Sequence, residues 1–389
     1  MKNIMKIKSL LKPRMLTGDT PTGKLHLGHL VGSLENRVKL QKDYDSFFII
    51  ADNQALTKNA NVITNLKKNV FEVTIDYLSV GIDPTLSNIF IQSQVPSIAQ
   101  LTMLLGMFVP YNVIKHNPTI KQELVESNIK ESFSCGFINY PISQAADILI
   151  FRPQVVPVGI DQLPHIELTR DIARKLNYRF FSVPSNTPDQ EHLQHGGLFP
   201  IVTPVIGNID KLIGVNKNPN TKGVFPKMSK SLNNAIFLSD SPDIVSEKIK
   251  GMYTDPKSSF ASKSNPVTLE NNPLWIYHKA FNPDKHWVKE AGEKYMYGDI
   301  SNIVCKEKLI EVINELLRPI QDKRKYFIKN PKEVIDILNH GTKKANEVAE
   351  ETLSFFQTAV GTDYFDTSED YYCKIMGENL LDTTPHHDE

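Results

Sequence analysis

The sequence predicts an α/β fold, a doubly wound parallel sheet followed by a mainly helical domain. Three observations carry this reading. Met15-Leu16 leads into a Gly-, Pro- and Thr-rich turn, and Leu27, Leu30, Val31, Leu34 and Val38 then form one helical stripe. Further strand-like runs and amphipathic helices alternate after it, as in βαβ units. Beyond Ser231 the strand pattern ends and helical patterns joined by polar turns take over.

The elements follow in order. Phe47-Phe48-Ile49-Ile50-Ala51 is a continuous apolar run, as for a strand buried on both faces. Asp52-Asn53-Gln54 comes at its carboxyl end, the edge where such sheets bind ligands. Val62, Leu66, Val70, Val73 and Tyr77 predict a helix closed by Gly81. Ile89-Phe90-Ile91 is the next strand and 98–108 the next helix. Residues 112–134 are polar, with Lys115, Lys121 and Lys130, and read equally as an active-site loop or a solvated helical hairpin. Tyr140–Leu149 is an apolar helix pattern interrupted by Asp147. A buried carboxylate is costly without donors, so Asp147 is either a structural pairing residue or a binding group. Val155–Val158 is a strand reaching Gly159, and a helix is expected over 163–176. Asp161 stands where an N-cap belongs and also where an acid would meet a ribose hydroxyl; the two roles can coexist.

Residues 182–226 are rich in Pro, Gly and Asn and read as a long, partly mobile segment ending at Lys227. After it, helices are expected over 242–252, 274–281, 304–328, 334–338 and 345–356. Arg318, Lys323, Arg324 and Lys325 cluster on one of them, as a solvated face or, less commonly, an RNA-phosphate contact. The tail after Gly361 is acidic and polar and reads as loosely ordered.

Composition bounds the function. At 389 residues the chain can build two domains. Lys+Arg and Asp+Glu are both 44, so any RNA site has to be a local basic patch. No apolar run is long enough to span a bilayer, so no membrane partner is expected. The first residues are basic, with Ile4, Ile7, Leu10 and Leu11 spaced as an amphipathic turn or two. They lack a secretory cleavage pattern and read as a terminal helix on the body, with organelle targeting as the alternative. Cys135, Cys305 and Cys373 are dispersed, giving neither a disulfide framework nor a zinc pair. That fits a cytoplasmic protein.

Two short strings carry the chemistry. In Leu16–Val31, His26 and His29 lie three apart, on one face of a first helical turn. Gly28 lies between them and lets a base or phosphate approach the backbone, where the helix N-terminus favours an anion. Alone, this is also the pattern of a capped surface helix with two ordinary histidines. Lys227-Met228-Ser229-Lys230-Ser231 supplies two lysines and small hydroxyl residues after the irregular segment. Alone, this is also a charged loop. Neither has the spacing of a P-loop.

Together the two strings resemble the paired signatures of the class I aminoacyl-tRNA synthetases. The longer blocks Thr17–His29, Gly81–Thr85, Ile91–Pro96, Tyr140–Leu149 and Val156–Ala173 are similar to tryptophanyl-tRNA synthetases of the bacterial kind, over roughly residues 14–360. This resemblance implies a Rossmann-type catalytic domain over 14–235 that includes the lysine loop. It implies a helical tRNA-binding domain over 236–360, flanked by an extension at 1–13 and a tail at 361–389. Thr20, Pro21, Thr22, Gly28 and His29 would line the ATP site, and Gly159, Ile160 and Asp161 would hold adenosine. Lys227 and Lys230, within Lys227–Ser231 (Met228, Ser229 and Ser231 included), would stabilise the phosphates, with His26, His29 and Lys121 assisting. Asp147 would accept the indole N–H, with Tyr140, Gln144 and Gln162 beside the amino acid. Gln144 stands where many relatives carry methionine, and the stretch 208–226 looks longer than usual.

The implied reaction joins L-tryptophan and ATP to tryptophanyl-adenylate and pyrophosphate, then passes tryptophan to tRNA(Trp). Mg²⁺ would ride on the ATP phosphates, with no dedicated protein metal site, and a homodimer is implied. The alternatives are a tyrosine-specific enzyme of the same class, or a non-enzymatic relative that binds RNA or senses tryptophan.

Overall fold

A computed structural model describes residues 12–58, 65–118, 134–207, 212–216, 218–220 and 223–364. Its centre is a five-stranded parallel sheet in the order β3-β2-β1-β4-β5. The strands are β1 (Arg14–Asp19), β2 (Asp45–Ile50), β3 (Ser87–Ile91), β4 (Val155–Val158) and β5 (Thr203–Ile206). The order reverses between β1 and β4. A cleft opens at the carboxyl ends of strands flanking such a switch point.

Period-two alternation sends β2 side chains to both faces. Phe48 and Ile50 join one apolar cluster and Phe47 and Ile49 the other. The first face is covered by α1, which begins at Leu27–His29, passes through a π-helical turn at Leu30–Leu34 and ends at Glu35–Leu40. It is also covered by α3 (Leu66–Val80). A short α2 (Asp52–Lys58) follows β2 directly. The second face carries α4 (Pro96–Phe108), α6 (Cys135–Leu149) and α7 (Leu163–Phe181). Between α4 and α6 lies the short α5 (Tyr111–Lys115).

The later chain adds α8 (Pro242–Lys250), α9 (Pro273–Phe281), α10 (Lys285–Tyr297), α11 (Asn302–Lys329) and α12 (Pro331–Val360). Trp275, Leu309 and Leu317 share one apolar cluster with Met15 and Leu27, so α8–α11 and the start of α12 close the first face of the sheet, while Ala345, Ala349, Leu353 and Phe356 of α12 join the cluster of the second face. The last helix packs across β3, the outer strand on its side of the sheet, and covers its edge.

Several expectations need correction. Residues 182–226 are not irregular throughout, because they contain β5. Pro204 is tolerated there because β5 is an edge strand. The segment 212–216 is ordered as well, through a bridge between Ile213 and Lys227. The helices expected over 334–338 and 345–356 are one helix. Gly341 does not break it; a Cβ there would sit 2.1 Å from the Ile89 carbonyl oxygen, so glycine permits the close approach to β3. Helix α10 was not anticipated. Arg324 is no surface cation: it is 4% exposed and pairs with Asp76 and Glu72 of α3. Lys121, Val62, most of the extension at 1–13, and the tail beyond Tyr364 lie outside the described residues.

Candidate active site

The loop after β1, the start of α1, the turn after β4 and the Lys227–Ser231 loop converge at the switch point. His26 caps α1, its Nδ1 accepting the Gly28 N–H at 3.1 Å. The His26 N–H in turn donates to His29 Nδ1 at 3.2 Å. The two rings lie 3.8 Å apart. Burial pushes both imidazoles down, His29 to about 4 and His26 further, with the neighbouring cations Lys230 and Lys227 adding to it. Both are therefore neutral at pH 7. With Nδ1 used as acceptor, each carries its proton on Nε2 and offers one donor.

Behind them, Asp19 ends β1 and accepts from Arg37 Nη1 at 2.6 Å and from the Tyr77 hydroxyl at 2.7 Å. Burial pushes this carboxyl up, but Arg37 beside it wins and holds it well below the usual carboxylate range.

The lysine loop is anchored from three sides. Met228 is 2% exposed in the core, and its N–H bonds the Leu212 carbonyl at 2.9 Å. Asn234 accepts the Ser229 N–H at 2.7 Å and donates to Asn216 and to the Lys227 carbonyl. A Cβ on Gly214 would collide with the Asn234 amide at 2.0 Å, so this staple requires glycine there. The chain after the loop returns to α1, where Leu27 N–H bonds the Ile236 carbonyl at 3.0 Å.

Each lysine reaches a different wall. Lys230 Nζ donates to Thr22 Oγ1 at 3.1 Å and to the Gly23 carbonyl at 2.9 Å. Lys227 Nζ meets Asp161 Oδ1 at 3.3 Å. Burial pushes the Asp161 carboxyl up, and Lys227 and Gln162 more than offset it. Lys230 is lowered by burial against partial support from Asp19 and Asp76. From Lys227 a line of contacts runs to α6: Gln162 Nε2 bonds Asp161 at 3.2 Å, and Gln144 Nε2 bonds Gln162 Oε1 at 3.1 Å. Asp161 does not cap α7; it lies in the single turn Ile160–Gln162 after Gly159. A Cβ on Gly159 would meet the Asp161 carboxylate at 2.7 Å. Pro21 is buried and Thr20 partly so, while Ser229 and Ser231 share a 2.9 Å hydroxyl contact at the loop surface.

Asp147 is 4% exposed on α6, and it has donors: Gln92 Nε2 reaches Oδ1 at 2.7 Å and Gln54 Nε2 reaches Oδ2 at 3.5 Å. Burial still pushes its carboxyl up, to about 7. Gln54, Gln92, Ser143 and Tyr140 line a cavity of about 230 Å³. Tyr140 also shares a 3.0 Å hydrogen bond with His165. A larger open groove, about 700 Å³, lies between residues 84–87 and the α11–α12 turn. It holds none of the candidate residues and sits at the amino end of β3, away from the switch point.

The structure thus brings together all the described candidates from the loops at residues 20–29, 159–162 and 227–231, and sets Asp147, Tyr140 and Gln144 on one helix beside them. Sequence reasoning missed Gln92, Gln54 as a donor, Asn234, and the Asp19–Arg37–Tyr77 group. Gln54 and Gln92 stand just past the carboxyl ends of β2 and β3, a position that marks ligand-side residues in such sheets. Among the described residues no group of three or more His, Cys, Asp or Glu side chains could hold a metal ion. Nor is any described helix long and apolar enough to cross a membrane.

This architecture has relatives. The profile of the tRNA synthetases class I (W and Y) matches residues 9–318. A tryptophan–tRNA ligase of Clostridium longisporum is 41% identical over 92% of this chain and 99% of its own length. One from Chlamydia caviae is 41% identical over 88% of this chain and 94% of its own. The tryptophanyl-tRNA synthetase of Campylobacter jejuni, solved in complex with ADP and tryptophan, superposes with a TM-score of 0.73 at 28% identity. That match covers 90% of this chain and 99% of the other. The chain therefore belongs to the class I tRNA synthetases of the W and Y family.

Proposed function

We propose that this chain is a tryptophan–tRNA ligase, which activates L-tryptophan with ATP and transfers it to tRNA(Trp). The observation that carries the choice of amino acid is Asp147, a buried carboxylate held by two amides beside a small cavity. Its acceptor oxygens suit the indole N–H. The names of the curated relatives and the tryptophan complex of the Campylobacter jejuni enzyme support the same choice.

In the first step a carboxylate oxygen of tryptophan attacks the α-phosphorus in line, and the bond to the bridging oxygen of pyrophosphate breaks. No protein nucleophile is needed, so catalysis is positioning and charge stabilisation. Lys227 and Lys230 neutralise charge growing on pyrophosphate, and Lys121 is the additional lysine of this group. The neutral imidazoles of His26 and His29 contribute N–H donors rather than charge. Thr20, Pro21, Thr22 and Gly28 flank the nucleotide, with Met228, Ser229 and Ser231 on the closing loop. Gly159, Ile160 and Asp161 hold its ribose side. Tyr140, Gln144 and Gln162 orient the amino acid. Mg²⁺, if brought with the ATP, would offset phosphate charge beside Lys227 and Lys230, since no group of three or more described His, Cys, Asp or Glu side chains could hold a metal ion.

In the second step the terminal ribose hydroxyl of the tRNA attacks the adenylate carbonyl and AMP leaves. The catalytic unit spans 14–235, and the helices of 236–360 carry the tRNA. The enzyme works as a homodimer in the cytoplasm. The test is ATP–pyrophosphate exchange with single amino acids, followed by charging of tRNA(Trp). Exchange dependent on tryptophan supports the reading; exchange dependent on tyrosine, or none, overturns it.

A further inference from the structure

Gln92 immediately follows β3 and is 2% exposed. Its Oε1 accepts the backbone N–H groups of Asn53 at 3.1 Å and Gln54 at 3.3 Å, in the first turn of α2. These are donors that a helix start leaves without an internal partner. They also decide which way the amide faces, because an NH₂ group there would confront two N–H groups. The Gln92 Nε2 is therefore turned onto Asp147 Oδ1 at 2.7 Å. Gln54 gives Asp147 only a 3.5 Å contact, since its Nε2 is engaged with Ser143 Oγ at 2.9 Å.

We propose that Gln92 is the positioning residue that makes Asp147 discriminate: it occupies one carboxylate oxygen from a fixed direction and leaves the other to a ring N–H. The inference rests on the tryptophan-activating reading above. A donor on the charged form favours ionisation, which burial opposes. Asp52 at the start of α2 is the charged group that raises the Asp147 pKa further; on α6 itself Tyr140 comes seven residues earlier and is bonded to His165 of α7. Without the Gln92 donor the carboxyl would take up a proton and become a donor itself. It would then no longer penalise a ligand that lacks an N–H.

The test is Gln92→Glu in the full chain, followed by pyrophosphate exchange with tryptophan and phenylalanine across pH. The introduced carboxylate can still accept the two backbone N–H groups. It can donate to Asp147 only while the pair shares a proton. In the wild type, kcat/KM for tryptophan is expected to rise with pH as Asp147 ionises. In Gln92→Glu it is expected to fall as pH rises, because the shared proton is lost. The preference for tryptophan over phenylalanine should drop about tenfold or more at alkaline pH. A profile of wild-type direction with an unchanged preference overturns the proposal. Should Gln92→Glu fail to fold, Gln92→Met serves instead: the rising limb should move to higher pH and the preference should fall. An unmoved limb and preference in the folded variant overturn it equally. Absence of tryptophan-dependent exchange in the wild type would instead overturn the activity reading and this inference with it, which separates the two failures.

Discussion

Arg324 on α11 forms a buried ion pair with Asp76 on α3. The second oxygen of Asp76 accepts the N–H of Leu25 at 2.7 Å, one residue before His26. A helix of the expected tRNA-binding half is thus joined, through one carboxylate, to the loop that presents the two histidines. Arg324 also donates to Glu72 at 2.6 Å, so its charge is met twice.

Removing Arg324 strands Asp76 in the core. Arg324→Ala is expected to lose about 3–5 kcal/mol, the usual cost of breaking a buried pair from one side. Urea unfolding measures it. A loss of less than about 1 kcal/mol, the range of a surface pair, would show that the pair is solvated in effect.

The remaining basic residues of that cluster are exposed. Arg318 and Lys325 make only local contacts with Glu315 and Asp322. Neutralising Arg318, Lys323 and Lys325 together should flatten the salt dependence of tRNA binding by up to about two to three log units of slope. Pyrophosphate exchange should not change. A salt slope equal to the wild type removes these residues from the tRNA interface.

Lys230 touches Thr22 and Gly23 across the mouth of the site, while its charge is needed on the phosphates. Lys230→Ala is expected to slow adenylate formation by about 10²–10³, the scale of one lost electrostatic contact in a transition state. Tryptophan affinity should barely move. Single-turnover kinetics with normal chemistry and weakened tryptophan binding would contradict this assignment.

Much of this was legible in the sequence, for physical reasons that differ by element. Strand β2 is buried on both faces and so has to be an unbroken apolar run, which Phe47–Ala51 is. The apolar stripe of α1 likewise follows from one face meeting the sheet. Strand β5 escaped because, as an edge strand with no fully buried position, Thr203–Ile206 carries no apolar run like that of Val155–Val158. The stretches 334–338 and 345–356 read as separate, whereas Gly341 between them answers a packing requirement at Ile89, some 250 positions away in the chain, that no local pattern contains. The same holds at the site. Asp147 stands out as the one acid in an apolar stretch, whereas its donors Gln54 and Gln92 arrive from two other elements. Arg324 looked like its exposed neighbours because charge patterning cannot see Asp76.

Asp147 also makes stability pH-dependent. Its pKa is raised from 3.8 to about 7 in the fold. The folded protein then holds a proton that the unfolded chain releases, so stability falls as pH rises between those values. At roughly 1.4 kcal/mol per unit, the loss is at most about 4 kcal/mol. Asp147→Asn cannot ionise, so the drop in unfolding free energy from about pH 5 to about pH 8 should shrink. An equal drop in both proteins would place that pH dependence elsewhere.

The central claim is that Asp147 reads the indole N–H. The most direct measurement is the ratio of kcat/KM for tryptophan over phenylalanine in pyrophosphate exchange, for wild type and Asp147→Ala, with thermal unfolding alongside. A site built to bond a polar group rejects an analogue lacking it by about 10⁴–10⁵. Asp147→Ala is predicted to lose most of that ratio while ATP binding stays nearly intact. A variant that keeps the wild-type ratio but unfolds early would contradict the account and make Asp147 a buried structural pairing residue.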